Sequence, residues 1–380
     1  MKRNSEVEEV YRDFKTAKVV ALLGPRQCGK TTLARDYFKK YRGVSEQYFD
    51  LENPHDVLRL SDPMLTLEEM KGLIVMDEIQ RVPDLFPVLR VLVDQKKLKQ
   101  HYLILGSASR ELIQQSSESL AGRIHYRELT PFSYHEASDL NKLWLRGGFP
   151  LSYLARSMAA SAQWRIDYVR TFLEQDIPAL GIRIPAANLR RFWMMLAHYH
   201  GQIMNASEIG NALDLSHHTV QKYLDILSGT FMMRQLAPWH ENIAKRQVKA
   251  KKIYFRDSGI FHTLLNIADR SELLMHPKLG ASWEGFALEE VIRHLKVDAQ
   301  DCYFWNVHNG PELDLLIVQG TKRMGFEFKF SKTPQLTHSM QQAMKDLKLK
   351  KLTVIYPGEH PIKLSREVTA IGLEPFLRGR

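Results

Sequence analysis

Eight residues, Gly24-Pro-Arg-Gln-Cys-Gly-Lys-Thr31, constrain the fold more than any other stretch of this chain. They fit the spacing G-x-x-x-x-G-K-[ST], in which successive backbone N–H groups wrap a di- or triphosphate. Such a loop needs a buried strand before it and a helix after it, because the helix N-terminus completes the anion site. Both are present as patterns. Lys18-Val-Val-Ala-Leu-Leu is a short apolar run suited to a buried parallel strand, and Thr32-Leu-Ala-Arg-Asp-Tyr-Phe follows with helical spacing. Gly24, Pro25, Arg26, Gln27, Cys28, Gly29, Lys30, Thr31 and Thr32 are therefore the expected nucleotide site. Lys30 would reach the β/γ-phosphates, and Thr31 would hold Mg²⁺ through its hydroxyl.

Further strands with the same character follow. Leu73-Ile-Val-Met-Asp-Glu78 is an apolar run ending in two carboxylates. At that place in a phosphate-loop enzyme one acid holds Mg²⁺ through water and the next polarises the attacking water, which assigns Asp77 to the metal and Glu78 to the water. Tyr102-Leu-Ile-Leu-Gly-Ser107 is a third such strand, with Ser107 either near the γ-phosphate or a helix N-cap, a part Ser109 could equally play. Tyr48-Phe-Asp-Leu-Glu is a further candidate. Strands alternating with helices predict a parallel sheet covered on both faces.

Bulk properties exclude several classes. The 380 residues suffice for two or three domains, and 44% hydrophobic with 25% charged residues is ordinary for a soluble globular protein. No run of about 18 apolar residues appears, and the N-terminus lacks an apolar signal core, so the expected location is the cytoplasm, with no membrane partner. Cys28 and Cys302 are the only cysteines, too few for a disulfide framework or a cysteine zinc module. The net charge of +10 is uneven: residues 1–150 carry 23 Lys+Arg against 21 Asp+Glu, residues 151–380 carry 30 against 22. A polyanion such as nucleic acid would bind the second part.

The order of the phosphate loop, Asp77-Glu-Ile-Gln, Leu120-Ala-Gly-Arg123, Leu129-Thr-Pro-Phe-Ser and Gly147-Gly-Phe-Pro is similar to that of a bacterial and archaeal group of AAA+-type ATPases whose C-terminal half is a domain of unknown function. The resemblance covers nearly the whole chain. It implies ATP rather than GTP, since no Asn-Lys-x-Asp guanine-reading motif occurs. It also implies that Arg123 acts on the phosphates as an arginine finger, or else is an ordinary surface arginine; a finger acting in trans requires a homo-oligomer.

Beyond the ATPase (residues 1–150), residues 151–200 read as a helical lid. His198 and His200 invite a metal reading, but two isolated histidines more often pack. Residues 201–270 have winged helix-turn-helix spacing: a short helix from Ala206, a turn at Asp214-Leu-Ser, and a helix from His217 to Leu227 capped by Ser216. Phe231-Met-Met-Arg-Gln-Leu and Lys252-Ile-Tyr-Phe would be the wing strands. On this reading His217, His218, Thr219, Gln221 and Lys222 face DNA, with Lys245, Arg246, Lys249, Lys251 and Lys252 on phosphate. Such modules also serve as protein-interaction surfaces.

In residues 271–380, Leu313-Asp-Leu-Leu-Ile-Val and Phe326-Glu-Phe-Lys-Phe read as a hairpin that places Asp314 beside Glu327 and Lys329, with Glu284 supplied by a preceding helix. Three carboxylates could hold Mg²⁺ and activate water for phosphodiester cleavage, with Lys329 orienting it. The set resembles the PD-(D/E)xK restriction-endonuclease-like fold, although Pro311 lies three residues before Asp314 instead of next to it. The overall expectation is an α/β multidomain protein: a P-loop parallel-sheet ATPase, a helical lid with winged helix, and a nuclease-like α/β domain. Two readings of its work stay open, an ATPase acting on DNA with a working Mg²⁺-dependent nuclease, or an ATP-dependent interaction switch with a catalytically silent one. A small-molecule kinase is disfavoured, because the residues beyond the ATPase carry DNA-type modules and no acceptor pocket.

Overall fold

The computed structural model describes residues 3–41, 46–95, 100–107, 120–243 and 246–379. Two compact units emerge: residues 1–131 with 229–231, and 132–228 with 232–380.

The first unit is built on five parallel strands: β1 (Val19–Gly24), β2 (Glu46–Asp50), β3 (Gly72–Asp77), β4 (Gln100–Ser107) and β5 (Ile124–Glu128). Their order is β2-β3-β4-β1-β5. Every residue of β1 is buried. Side chains alternate across a strand, so an all-apolar strand must be covered twice. Val19, Ala21 and Leu23 join Ile74, Met76, Tyr102 and Ile104 in a core closed by Leu85, Phe86, Leu89 and Leu92 of the helix Leu85–Asp94. Val20 and Leu22 face the other way, with Leu73, Val75, Leu103 and Leu105. There they meet Val7 and Val10 of the helix Asn4–Asp13, and Leu33, Ala34 and Tyr37 of the helix Lys30–Lys40. The phosphate loop thus leaves the C-terminal end of an interior strand.

The second unit carries one nine-stranded sheet, order β13-β14-β12-β11-β10-β9-β7-β8-β6. Its strands are β6 (Gln202–Ile203), β7 (Met233–Pro238), β8 (Lys252–Phe255), β9 (Cys302–Asn306), β10 (Glu312–Gln319), β11 (Lys322–Phe328), β12 (Leu352–Tyr356), β13 (Ile362–Lys363) and β14 (Val368–Gly372). The helices Ala206–Leu213 and His217–Gly229 are joined at Asp214, in the left-handed region at φ 57°. Asn205 caps the first helix and Ser216 the second. Gly210 is required there, because a Cβ would stand 2.6 Å from the Leu215 carbonyl oxygen. Both helices share a core with the helices Met158–Thr171 and Ala186–His198, centred on Phe192 and Trp193. The segment expected as a lid is thus packed onto the helix-turn-helix.

The expected boundary at 270/271 does not interrupt the sheet. β7 pairs in parallel with β9 through Ala237–Tyr303 and Pro238–Phe304, so the strands expected as a wing and the C-terminal strands are continuous. The segment after β7 is fastened to the C-terminal strands as well. Trp239 N donates to Phe304 O, Val248 N to Asn306 O, and Arg323 Nη1 to Glu241 Oε2 at 2.7 Å. The Gly147-Gly-Phe-Pro motif is also structural: Asp257 Oδ2 accepts from Gly148 N at 2.8 Å, and a Cβ on Gly147, at φ 75°, would stand 2.1 Å from Asp257 Oδ1.

A buried ion cluster ties this unit together. Arg234 of β7 donates from Nε and Nη2 to Glu289 in the helix Leu279–Leu295, with Arg256 Nε at 3.6 Å from the same carboxylate. Burial disfavours the Glu289 charge, but Arg234, Arg256 and Arg293 overcome it and hold its pKa at about 2. A depressed carboxyl pKa contributes stability that is complete above the ordinary value of 4.5 and lost as pH falls through about 2. Glu289→Gln should cost about 3–5 kcal/mol at neutral pH, the penalty for stranding buried cations. Chemical denaturation as a function of pH should show that deficit shrinking as pH falls from 4.5 towards about 2, because the carboxylate takes up its proton in the unfolded chain before it does so in the folded one.

Candidate functional site

The phosphate loop is held by its surroundings. Gln27 and Gly29 have positive φ, 61° and 101°, which turns the backbone into a cradle ahead of the helix Lys30–Lys40. A Cβ on Gly24 would stand 2.1 Å from Leu129 O, so only glycine lets that segment lie over the loop. Arg3 bridges the two, donating to Cys28 O at 3.0 Å and Thr130 O at 2.9 Å. The Cys28 thiol is fully buried, its pKa pushed up by burial, and it packs against Leu129 O. Arg26 pairs with Glu52, which also pairs with Arg81.

Lys30 is buried and donates to Gly24 O at 2.9 Å and Pro25 O at 3.0 Å, so its ammonium lies inside the loop. Thr31 Oγ1 donates to Asp77 Oδ2 at 2.8 Å, and Tyr48 OH donates to the same oxygen at 2.5 Å. A hydroxyl and a carboxylate side by side suit Mg²⁺, which keeps several of its waters. Glu78 sits in the left-handed region at φ 56°, a costly backbone for a non-glycine residue. Its Oε2 accepts from Ser107 Oγ at 2.9 Å and from Gln80 Nε2, which also donates to Ser107 Oγ at 2.9 Å. Strands β1, β3 and β4 are neighbours, so Lys30, Asp77, Glu78 and Ser107 meet at one end of the sheet. Ser107 is a partner of Glu78; Ser109 lies outside the described residues.

Arg123 is not among them. It precedes β5, whose first residue Ile124 pairs with Val19, the first residue of β1. It therefore lies at the opposite end of the sheet, five residue steps or roughly 16 Å from Gly24. Its guanidinium is bound bidentately by Asp94 at 2.6 and 2.9 Å. Within one chain it does not touch a nucleotide on the loop.

In the second unit, His217, His218, Lys222, Arg246, Lys249 and Lys251 are exposed. Gln221 is half-buried and its amide donates to Asp225 at 3.0 Å. Lys245 lies outside the described residues. Lys252, expected on phosphate, is 4% exposed. β8 is buried along its whole length, which turns this lysine inward. His200 is buried, accepts from Phe255 N at 2.9 Å, and has its pKa pushed down to about 3 by burial; it is a neutral packing group.

Lys252 ends among the carboxylates expected to hold metal. Its Nζ lies 3.4 Å from Glu284 Oε1, 3.4 Å from Asp314 Oδ1 and 4.0 Å from Glu312 Oε2. Tyr254, two residues on and on the same face of β8, donates to Glu284 Oε1 at 2.6 Å. Asp314 lies in a β-bulge, where three steps along β10, Leu313 to Leu316, oppose two along β9. Its Oδ2 accepts from Phe328 N at 3.0 Å; Glu327 Oε1 accepts from Lys329 Nζ at 2.8 Å, and Oε2 from Asp314 N at 3.4 Å. Burial, then the Asp314 charge, pushes Glu284 up to about 7 and Glu327 up to about 8. The four residues expected from sequence do converge, yet Glu284 Oε1 and both oxygens of Asp314 and of Glu327 are engaged internally. Among the described residues no group of three His, Cys, Asp or Glu could hold a metal ion. As arranged, this cluster does not fit Mg²⁺.

Sequence reasoning missed Tyr48, Gln80, Tyr254 and the inward turn of Lys252. The last had a signal: a lysine in the apolar run Lys252-Ile-Tyr-Phe, with Tyr254 one strand period away.

Comparison with known proteins follows the same lines. The profile of an AAA domain matches residues 16–138. Two domains of unknown function, DUF8612 and DUF4143, match residues 137–271 and 279–376. The uncharacterized protein Rv2008c of Mycobacterium tuberculosis is 48% identical over 379 residues, 99% of this chain and 85% of that protein. This chain belongs to the family of that mycobacterial protein. An uncharacterized protein of Haemophilus influenzae is 24% identical over 283 residues, 66% of this chain and 69% of that protein. Among solved structures, the Walker-type ATPase PABY2304 of Pyrococcus abyssi matches with a TM-score of 0.51 and 13% identity, over 70% of this chain and 95% of that one, a likeness of fold. The first unit is a P-loop ATPase of the AAA type. No described helix is long and apolar enough to cross a membrane.

Ser107→Ala should lower the rate constant for ATP turnover by about 10²-fold with little change in KM, because Glu78 loses one of the two partners that orient it. Steady-state kinetics over a range of ATP concentrations checks this.

Proposed function

We propose that this family member is an ATP-hydrolysing switch that acts on DNA through the helix-turn-helix face of its second unit. The observation that carries the ATPase mechanism is the meeting of Thr31 with Asp77, and of Glu78 with Ser107, at the end of β1, β3 and β4. In this mechanism the loop N–H groups and Lys30 bind the triphosphate; Thr31 and Asp77 would hold Mg²⁺, which would supply positive charge to the phosphate oxygens. Glu78 takes the proton of the attacking water, held in line by Ser107 and Gln80. Arg123 acts only on the nucleotide of a second copy, so the reading includes a homo-oligomer.

For the second unit, the two helices with β6, β7 and β8 are read as a winged helix, with His217, His218 and Lys222 toward the duplex and Arg246, Lys249 and Lys251 on phosphate. Their exposure supports this. The helix Leu279–Leu295, the meander β9-β10-β11, the helix His338–Asp346 and the parallel β12 support the nuclease-like reading of the C-terminal part. The engagement of its carboxylates by Lys252 and Lys329 favours the silent, regulatory version.

Lys30→Ala should abolish ATP binding and turnover; a variant that still hydrolyses ATP at the wild-type rate removes the assignment. Replacing Arg246, Lys249 and Lys251 by Gln should weaken DNA binding in fluorescence anisotropy and flatten the log K against log [salt] slope by about 0.9 for each phosphate that is no longer neutralised. Unchanged affinity and slope would exclude this face. If Arg123 works in trans, ATP turnover per protomer rises with protein concentration in wild type and stays flat in Arg123→Ala.

A further inference from the structure

Lys252 poses a physical problem that the proposed function does not use. A strand of the helix-turn-helix module buries an ammonium group almost completely, and a buried charge is tolerated only when it is paired. Its partners are carboxylates from two distant places in the chain, Glu284 on the helix Leu279–Leu295 and Asp314 on β10, each 3.4 Å away. The stem runs inward from β8, and Nζ lies 5.9 Å from the centre of the Phe304 ring.

We infer that Lys252 is the resident cation of the Glu284–Asp314–Glu327 cluster, taking the place of a divalent ion, so that the cluster is a latent cation site closed from within by the helix-turn-helix module. The inference rests on the nuclease-like reading of the C-terminal part and deepens it by naming what keeps the site silent.

The argument is one of charge and coordination. Mg²⁺ or Mn²⁺ bonded to Glu284 Oε1 and Asp314 Oδ1 would sit about 2.1 Å from each oxygen. Lys252 Nζ stands between the same two oxygens, so both cations cannot be accommodated without strong repulsion. Most of the other contacts around the cluster are internal too, with Tyr254 sharing Glu284 Oε1 with Lys252. Tyr254 OH binds Glu284, Phe328 N binds the other Asp314 oxygen, and Lys329 and Asp314 N take the two oxygens of Glu327. A single ammonium neutralises carboxylates but has no open coordination position, and it cannot present a water as a metal ion does. Lys252 arises from β8, which pairs with β7 and β6, so the closing group belongs to the same sheet segment that flanks the proposed DNA-reading helix.

The test is Mn²⁺ binding without nucleotide or DNA, followed by the electron paramagnetic resonance of free Mn²⁺. An Asp77→Asn background removes the contribution of the ATPase site. With Lys252 in place, this protein should bind no Mn²⁺ with a Kd below about 1 mM, and adding Asp314→Asn should change nothing. Lys252→Met, which keeps the length and removes the charge, should create one site at least about tenfold tighter, lost again with Asp314→Asn. Binding that depends on Asp314 while Lys252 is present overturns the inference. So does a folded Lys252→Met protein, by circular dichroism, that gains no site. If Lys252→Met does not fold, the Asp314→Asn comparison decides alone: equal Mn²⁺ binding supports the inference and reduced binding ends it. Because no DNA is present, failure of the DNA-binding proposal does not touch this result. The nuclease-like reading is judged separately, by whether Mn²⁺ supports cleavage of DNA by Lys252→Met once the site is open.

Discussion

Buried carboxylates on one helix organise the second half of this protein. The helix Leu279–Leu295 carries Glu284, Glu289 and Glu290 at buried or half-buried positions, and charge in a protein interior has to be met where it stands. Glu289 meets Arg234 of β7, and Glu284 meets Lys252 of β8. Both cations come from the strands of the helix-turn-helix module. The two parts therefore cannot part company without stranding charge, and the nine-stranded sheet continues across the place where the motifs suggested a boundary. Such pairs add little net stability compared with apolar packing, but removing one partner is costly. They act here as fasteners that fix one arrangement.

The ATPase unit follows a different logic. Its strands are apolar on both sides and its helices cover both faces, so the sheet is held by burial. Polar chemistry is confined to the strand ends, where Asp77, Glu78 and Ser107 reach the phosphate loop. A rigid sheet places these groups to within hydrogen-bond distances without any of them contributing much to the core.

Much of this was legible in the sequence. The phosphate loop, the three interior strands, the helix-turn-helix and the β10–β11 hairpin come from periodicity and spacing, which depend on local backbone geometry. The roles of Tyr48 and Gln80 were not legible, since each is defined by a partner on another strand or turn. For Arg123 the resemblance left a phosphate contact and a plain surface position open, and the direction of β5 puts it at the far end of the sheet, paired with Asp94.

Sequence by itself determined that this chain binds a nucleoside triphosphate, because a glycine loop between strand and helix permits little else. It also determined that Glu284, Asp314, Glu327 and Lys329 belong near one another, because strand alternation and one hairpin suffice to gather most of them. Only the tertiary structure decided what fills the space among them. Whether Lys252 points to solvent or inward depends on which side of β8 is covered, and that is set by a helix some thirty residues away in sequence and by β10, whose carboxylates receive it. Local pattern marks a lysine beside other basic residues as a surface charge. Packing on both sides of its strand makes it the counter-ion of a buried carboxylate cluster.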